Sequence, residues 1–283
     1  MPAAKALPWK TWPGLVVQTD ASSPAARSLG KRRLRQHHVL NVIRQHGPLS
    51  RGDIVNLSGF NLPSVSSFVD ELIADGLVTE EKVKTGRLGR HPVLVTLNPH
   101  AACVLGVDLG KRSTTVLALN LAGQILARAE QPTPAVESGA HFEARAVELV
   151  LDLATRQGPS LPPLAGVGIA LPGLIEWRGG ADGEAIAETG RSIRRALRDR
   201  LAVPVFVDND ARVTALASLW FGPGRDYGTF AVMNVGHGLG LGVVIDHKVF
   251  RGAMGFSGEL GQTPMGDSPV EWYTGADRAL ENV

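Results

Sequence analysis

A single cysteine, Cys103, stands in the 283 residues, which excludes an internal disulfide and any multi-cysteine zinc site, so neither a covalent nor a metal staple supports the fold. No apolar run approaches the roughly 20 residues of a membrane span. The opening MPAAKALPWKTWPGLVV lacks a signal peptide's charged-then-apolar order, and the expected location is cytoplasmic. A strong net charge is missing too, at +2 overall, but the sum conceals a division along the chain. Residues 1 to 98 hold 13 Lys and Arg against 7 Asp and Glu, whereas residues 99 to 283 hold 16 against 20. The basic end is where a polyanion would be met, unless the asymmetry is merely that of two solvated surfaces.

What is present is a globular balance, 44% hydrophobic and 20% charged, in a chain longer than one core usually supports, so two domains are expected. Residues 1–30 mix Pro, Ala and Ser without a period and read as a flexible arm. From Lys31 an apolar stripe of Leu34, Val39, Leu40, Val42 and Ile43 marks a helix that stops at Gly47-Pro48. Ser50 is the expected N-cap of a second helix through Leu57. Gly59 supplies the turn, and Asn61 or Ser64 caps a third helix with Val65, Phe68, Val69, Leu72 and Ile73 on one face. Two strands follow, Leu77 to Glu81 and Val93 to Leu97, around a turn from Lys84 to Arg90. Three helices and a hairpin make a winged helix-turn-helix over residues 31–98, with His37 and His38 as exposed helix residues.

From Ala101 the pattern is α/β. Strands at Val104 to Val107, Thr115 to Leu119 and Gln124 to Arg128 surround Asp108-Leu109-Gly110-Lys111. Helices are expected at Phe142 to Gln157, Ser192 to Leu201 and Ala211 to Phe221, with Trp220 in the core, and buried strands at Leu164 to Ala170 and Val203 to Val207. Strands Phe230 to Val235, Gly242 to Ile245 and Val249-Phe250 flank a second Gly-rich loop, and this arrangement echoes the first, as in a duplicated architecture. Gly-rich turns after strands leave backbone N–H groups free to cradle phosphates, and Asp108 offers a carboxylate for hydrated magnesium. Gly110, Gly236, Gly238 and Gly240 are thus phosphate-loop candidates, with tight turns that need Gly for their backbone angles as the competing reading. Asn209-Asp210, at the carboxyl end of a buried strand, sits where α/β sheets bind ligands.

Val235-Gly236-His237-Gly238-Leu239-Gly240-Leu241-Gly242, followed by Arg251-Gly252, Gly255 and Gly258-Glu259-Leu260-Gly261, resembles the glycine signature of the ROK (repressor, open reading frame, kinase) family. Val203 to Asp210 resembles that family's strand and catalytic loop. Gly47-Pro48-Leu49-Ser50-Arg51 and Glu71 to Val78 are similar to the winged helix of its repressor branch. The resemblance implies an actin-like ATPase (ribonuclease H-like) α/β domain over residues 101–283. It makes Asp210 the counterpart of a kinase's base, with Asn209, Glu259, Gln262 and Glu281 at sugar-binding positions and Pro172-Gly173 beside them.

Departures from the pattern bear on chemistry. Lys111 follows Gly110 where a second glycine is usual, and His237 replaces a Thr. Gln262 stands at the place of a metal-ligating His, while Trp272, Thr274 and Ala279 stand at three zinc-cysteine places. Borderline-soft zinc needs thiolate or imidazole ligands, so no metal is expected, and no cofactor. The chain ends at Val283, just past the last sugar-binding match, and the second lobe is expected to be incomplete. Ser64, Ser66 and Ser67 at the start of the third helix and Arg87, Arg90 and His91 in the wing are the candidate DNA contacts, against ordinary capping for the serines and solvated charge for Arg87. The whole reads as a DNA-binding regulator of carbohydrate metabolism, a homodimer whose partners are a double-stranded operator and a sugar or sugar-phosphate effector. The competing readings are an ATP-dependent sugar kinase and a regulator that no longer senses ligand.

Overall fold

The computed structural model describes residues 24–82, 92–110, 112–133, 140–156, 160–173, 176–177, 184–185, 188–235, 238–253, 255–266 and 268–269. Contacts divide the chain into two compact units, one of Met1–Val104 with Leu119–Leu126 and Ser160–Ala165, the other of Leu105–Ala118, Ala127–Pro159 and Gly166–Val283.

The first unit is built from α1 (Pro24–His46), α2 (Arg51–Ser58), α3 (Leu62–Ala74), β1 (Val78–Lys82) and β2 (Val93–Leu97). Local chemistry sets the helix ends. Ser50 Oγ accepts the Asp53 N–H at 3.1 Å while the Asp53 carboxylate accepts the Ser50 N–H at 2.9 Å, a complete capping box at the start of α2. Gly59, at φ +71°, closes α2 in the left-handed region, its N–H on Val55 O at 3.0 Å. Asn61, rather than Ser64, caps α3, accepting the Ser64 N–H at 3.0 Å. Val39, Val42 and Ile43 of α1 meet Ile54, Val65, Phe68, Val69 and Leu72, closed by Val78 and Val95 of the antiparallel β1–β2 pair. Leu49 exchanges both backbone hydrogen bonds with Val95, at 3.1 and 2.7 Å, an isolated β-bridge on the wing that no alternation in the sequence signals.

Three expectations are corrected here. Helix α1 starts at Pro24, inside the segment read as a flexible arm. Proline is well suited to a first helical turn, where its missing N–H costs nothing, and the Ala-Ala-Arg-Ser-Leu that follows contains good helix formers although it has no apolar period. Residues 1–23 lie outside the described residues. Leu34 is 65% exposed, not part of the buried stripe, because it precedes Val39 by five residues and so points about 140° away from it. His38 is exposed, with its ring edge-on to Phe60 at 5.5 Å, whereas His37 is half-buried. Burial first, and the Arg33 charge second, hold the His37 imidazole below its ordinary range.

The second unit contains most of a five-stranded sheet of order β5-β4-β3-β6-β9, from β3 (Cys103–Leu109), β4 (Ser113–Asn120), β5 (Ile125–Pro132), β6 (Leu164–Leu171) and β9 (Val205–Asn209). Strand β6 is buried over most of its length and runs parallel to β9, pairing Leu171 with Asn209, as expected of a parallel strand covered on both faces. Helices α4 (Ala140–Arg156) and α5 (Glu188–Leu201) bury Val147, Val150, Leu153, Ile193 and Leu197. Two-residue pairs β7 (Glu176–Trp177) and β8 (Glu184–Ala185) lie between β6 and α5 in the chain.

Strand β9 runs directly into α6 (Asp210–Phe221), which packs on an antiparallel meander of β10 (Phe230–Val235), β11 (Leu239–Ile245) and β12 (Lys248–Phe250). Ala215, Leu219 and Val244 form the centre of this contact, with Phe230, Val232 and Val249 around them. Trp220, expected in the core, is 39% exposed, since it neighbours buried Leu219 on the helix and is turned about 100° from it. A small β13–β14 pair (Pro264–Met265 with Ser268–Pro269) follows. No described helix is long and apolar enough to cross a membrane.

Candidate functional site

In the first unit, three elements converge on Arg51. Its Nε donates to Glu80 at 2.8 Å, its Nη2 to Asp70 at 2.6 Å and its Nη1 to the Ser66 carbonyl at 3.3 Å, so one guanidinium joins α2, α3 and the first wing strand. The two carboxylates raise its pKa against the opposing effect of its partial burial. Sequence reasoning saw Arg51 only as part of a motif, because its partners lie 15 to 29 residues away. A second polar cluster ties α1 to α3: Arg32 pairs with Glu71 and donates to Ser67 Oγ at 3.0 Å, its guanidinium 5.2 Å from the Phe68 ring centroid, and Gln36 donates to Glu71 at 3.3 Å.

Ser67 is thereby engaged with the protein's own side chains, whereas Ser64 and Ser66 are half-buried on the same helix. The exposed start of α3 is Asn61, Leu62 and Pro63, with Leu62 53% exposed. The signal for Leu62 in the sequence is positional, an apolar side chain on the first turn of a helix, ahead of the buried stripe. Arg87, Arg90 and His91 lie outside the described residues.

In the second unit, the end of β9 and the start of α6 carry Asp208, Asn209 and Asp210. Asn209 caps α6, its Oδ1 accepting the Arg212 N–H at 3.2 Å, while its Nδ2 donates to Gly173 O at 3.0 Å. The loop after β6 is therefore held beside the ligand candidates. Asp210 occupies the first helical position and accepts its neighbour Ala211's N–H at 2.8 Å. Its carboxyl is pushed above the usual range by burial, against the lowering effect of that backbone bond and of Arg212. The Asp108 carboxyl, at the end of β3, is raised as well, by partial desolvation first and by the Asp210 charge second, although its side chain keeps contact with solvent. The sheet thus brings Asp108 and Asp210, far apart in sequence, within electrostatic reach at the carboxyl ends of its strands. Their oxygens are the donor type that hydrated magnesium takes.

The loop after β12 is anchored to the same place. Arg212, 2% exposed, gives its Nε to Asp208 at 2.7 Å and its Nη1 to Gly255 O at 2.5 Å, and Arg251 gives Nη2 to the other Asp208 oxygen at 2.6 Å. Glu259, half-buried, opens a short 3-10 turn over Leu260–Gln262, in which Gln262 is exposed. Glu281 lies outside the described residues, as do Lys111, Gly236, His237 and the positions Trp272, Thr274 and Ala279.

The described glycines have packing demands of their own. A Cβ at Gly240 would lie 2.9 Å from Ala211 Cβ, and one at Gly242 only 2.2 Å from Ala211 O and 2.5 Å from Ala215 Cβ, so β11 approaches α6 closely through these positions. Gly258, at φ +86°, lies against Leu241 O, where no side chain fits. At Gly110 a Cβ would meet Ser113 O at 2.8 Å, a demand of the β3–β4 turn. Gly238 lies in a bend just before β11. A separate concavity of about 310 Å³ runs along α5, lined by Arg191, Ser192, Arg195, Ala196 and Asp199, and shares no residue with this site.

A winged helix-turn-helix followed by an α/β sheet domain with its polar site at the strand ends defines the class. The chain belongs to the ROK family, whose model matches residues 104–282, and a MarR family model matches residues 32–87. The xylose repressor of Caldicellulosiruptor bescii is 32% identical over 247 residues, which are 86% of this chain and 62% of that protein. The DNA-binding transcriptional dual regulator NagC of Escherichia coli is 28% identical over 256 residues, 89% of this chain and 62% of the relative. The chain therefore spans about six-tenths of the length of these relatives. A crystal structure of a ROK family transcriptional regulator, described as a homologue of the E. coli MLC protein, superimposes with a TM-score of 0.72 at 23% identity, covering 89% of this chain and 67% of that one, and bears out the fold.

Proposed function

We propose that this protein is a DNA-binding transcriptional regulator of carbohydrate metabolism, a repressor in which the winged helix over residues 31–98 reads an operator and the ROK domain over residues 101–283 senses a sugar or sugar phosphate. The observation that carries the reading is the union in one chain of a winged helix around a buried core and a strand end bearing Asn209 and Asp210, beside which Arg212 holds the loop that leads to Glu259. The xylose repressor and NagC among its relatives support both halves and leave the sugar open. On this reading Ser64 and Ser66 face the operator near the exposed Leu62, Arg87, Arg90 and His91 of the wing meet phosphates or a minor groove, and Glu281 and Gln262 complete the sugar contacts. The protein acts in the cytoplasm as a homodimer on an inverted repeat.

The rival reading, a sugar kinase, draws support from Asp210, whose carboxyl is raised in the direction a general base needs. We infer that transfer is absent, since positioning supplies most of the catalysis in phosphoryl transfer and both phosphate loops depart from the form it needs. Lys111 puts a bulky side chain after Gly110, His237 replaces a hydroxyl residue, and Gly240 is consumed in packing on Ala211. The test selects bound duplexes from a random pool with the full chain, then titrates a sugar panel into the complex. An operator that a sugar releases is the expected result. No preference over non-specific DNA, or ATP-dependent hexose phosphorylation abolished by Asp210→Asn, refutes the reading.

A further inference from the structure

Asp208 is the residue immediately before the ligand candidates Asn209 and Asp210, yet its carboxylate faces away from any ligand role: both oxygens are taken by arginines. Oδ1 accepts Arg212 Nε at 2.7 Å and the Asn209 N–H at 2.8 Å, and Oδ2 accepts Arg251 Nη2 at 2.6 Å. Each arginine then holds the loop that leads to Glu259. Arg212 reaches Gly255 O across 43 residues of sequence, and Arg251 opens the loop, its own carbonyl accepting the Ser257 N–H at 3.1 Å. Gly258 completes the tether, with Leu241 N–H on its carbonyl at 3.0 Å and Leu260 N–H at 2.8 Å. Glu259 comes next in the chain.

We propose that Asp208, Arg212 and Arg251 form a charged clamp that fixes the Glu259 loop against the Asn209–Asp210 strand end, making Asp208 and Arg251 positioning residues for sugar binding. The proposal rests on the reading of Asn209, Asp210 and Glu259 as the sugar site. A ligand held from two segments requires both to be in place before it arrives, because ordering a loop on binding subtracts from affinity. The segments are distant in sequence, and none of the described residues from Arg251 to Gly258 is in a helix or strand, so the clamp adds to the registration that the Gly258 tether to β11 supplies. Its two arginines differ in accessibility. Arg212 is buried, and any change at Asp208 removes the carboxylate that its Nε meets, which threatens the fold. Arg251, 39% exposed, can be changed with the fold kept.

The test compares the full chain with Arg251→Met and Arg251→Lys, by calorimetric titration with D-xylose, D-glucose, N-acetyl-D-glucosamine and glucose 6-phosphate, and by amide hydrogen exchange. Circular dichroism checks that each variant is folded. Arg251→Met is expected to bind the sugar about tenfold more weakly, the scale of one charge-assisted hydrogen bond, and to exchange the Leu241, Ser257 and Leu260 amides faster. Arg251→Lys, which retains the charge, is expected to recover most of the affinity. Unchanged sugar affinity in Arg251→Met overturns the clamp. Weaker binding with unchanged exchange also overturns it, since Arg251 would then touch the sugar directly. If the unsubstituted chain binds none of the four compounds, the sugar-sensing reading is what fails, and the exchange data alone decide the clamp: faster exchange in Arg251→Met upholds the tether and unchanged exchange refutes it.

Discussion

Replacing Gly242 by alanine tests whether the glycine run before and within β11 serves packing or a ligand. The added Cβ would stand 2.2 Å from the Ala211 carbonyl oxygen and 2.5 Å from Ala215 Cβ, both within the helix that carries Asn209 and Asp210 at its start. Atoms at such separations must move, and the backbone oxygen cannot be trimmed by a companion substitution. The strand or the helix shifts instead, at the cost typical of overpacking a closed core, about 1–3 kcal/mol. Gly168 in β6 is the control, because a Cβ there meets nothing within 4 Å, and alanine removes the conformational freedom of a strand glycine at no steric cost. In scanning calorimetry Gly242→Ala should lower the transition of the second unit by about 2–4 °C for each kcal/mol, with Gly168→Ala neutral or slightly stabilising. Adding Ala215→Gly should recover only part of the loss. If Gly242→Ala melts within about 1 °C of the parent protein, the close approach of β11 to α6 is not what demands glycine, and the packing account is wrong.

Three further outcomes are expected. Arg51→Ala removes the tie among α2, α3 and β1, and because its carboxylate partners keep access to solvent the loss of stability should be near ~1 kcal/mol, with operator affinity falling more than that in a filter-binding or anisotropy assay; unchanged DNA affinity would contradict it. Arg90→Ala should weaken DNA binding and reduce the log–log salt slope by about one, while Ser66→Ala should alter sequence preference and leave the slope alone. Asp108→Asn addresses pH: an acid whose folded pKa is raised holds its proton more tightly in the folded state, so its contribution favours folding at low pH and is lost as the pH rises through the raised value. The variant should therefore melt higher than the parent above that range, and the gain should vanish toward the ordinary carboxylate range; a gain that grows on acidification would reverse the sign.

Much of this architecture was legible as local chemistry. The N-cap at Ser50, the turn at Gly59, the stripe of α3 and the strand that delivers Asn209-Asp210 to the sheet's carboxyl edge all rest on interactions within a few residues. The place of Ser67 on the third helix suggests a DNA contact, but its hydroxyl is bound to Glu71 one turn on and to Arg32, a partner that α1 brings and that no spacing within α3 reveals. The same holds for Leu34 and Trp220, apolar residues whose exposure depends on which side of the helix the neighbouring elements occupy.

By itself the amino-acid sequence determined the order of the main helices and strands, the division of charge along the chain and the glycine-and-acid motifs that identify a ROK domain behind a winged helix. Tertiary structure decided what those motifs are used for. Gly240 and Gly242 are small because α6 lies against them, Asp208 is acidic because two arginines converge on it, and Arg51 matters because it reaches a strand 29 residues away. The physical reason is one of range. Backbone propensity and capping act over a turn or two of chain, whereas close packing and ion pairing act through space, between groups whose proximity exists only after the chain has folded.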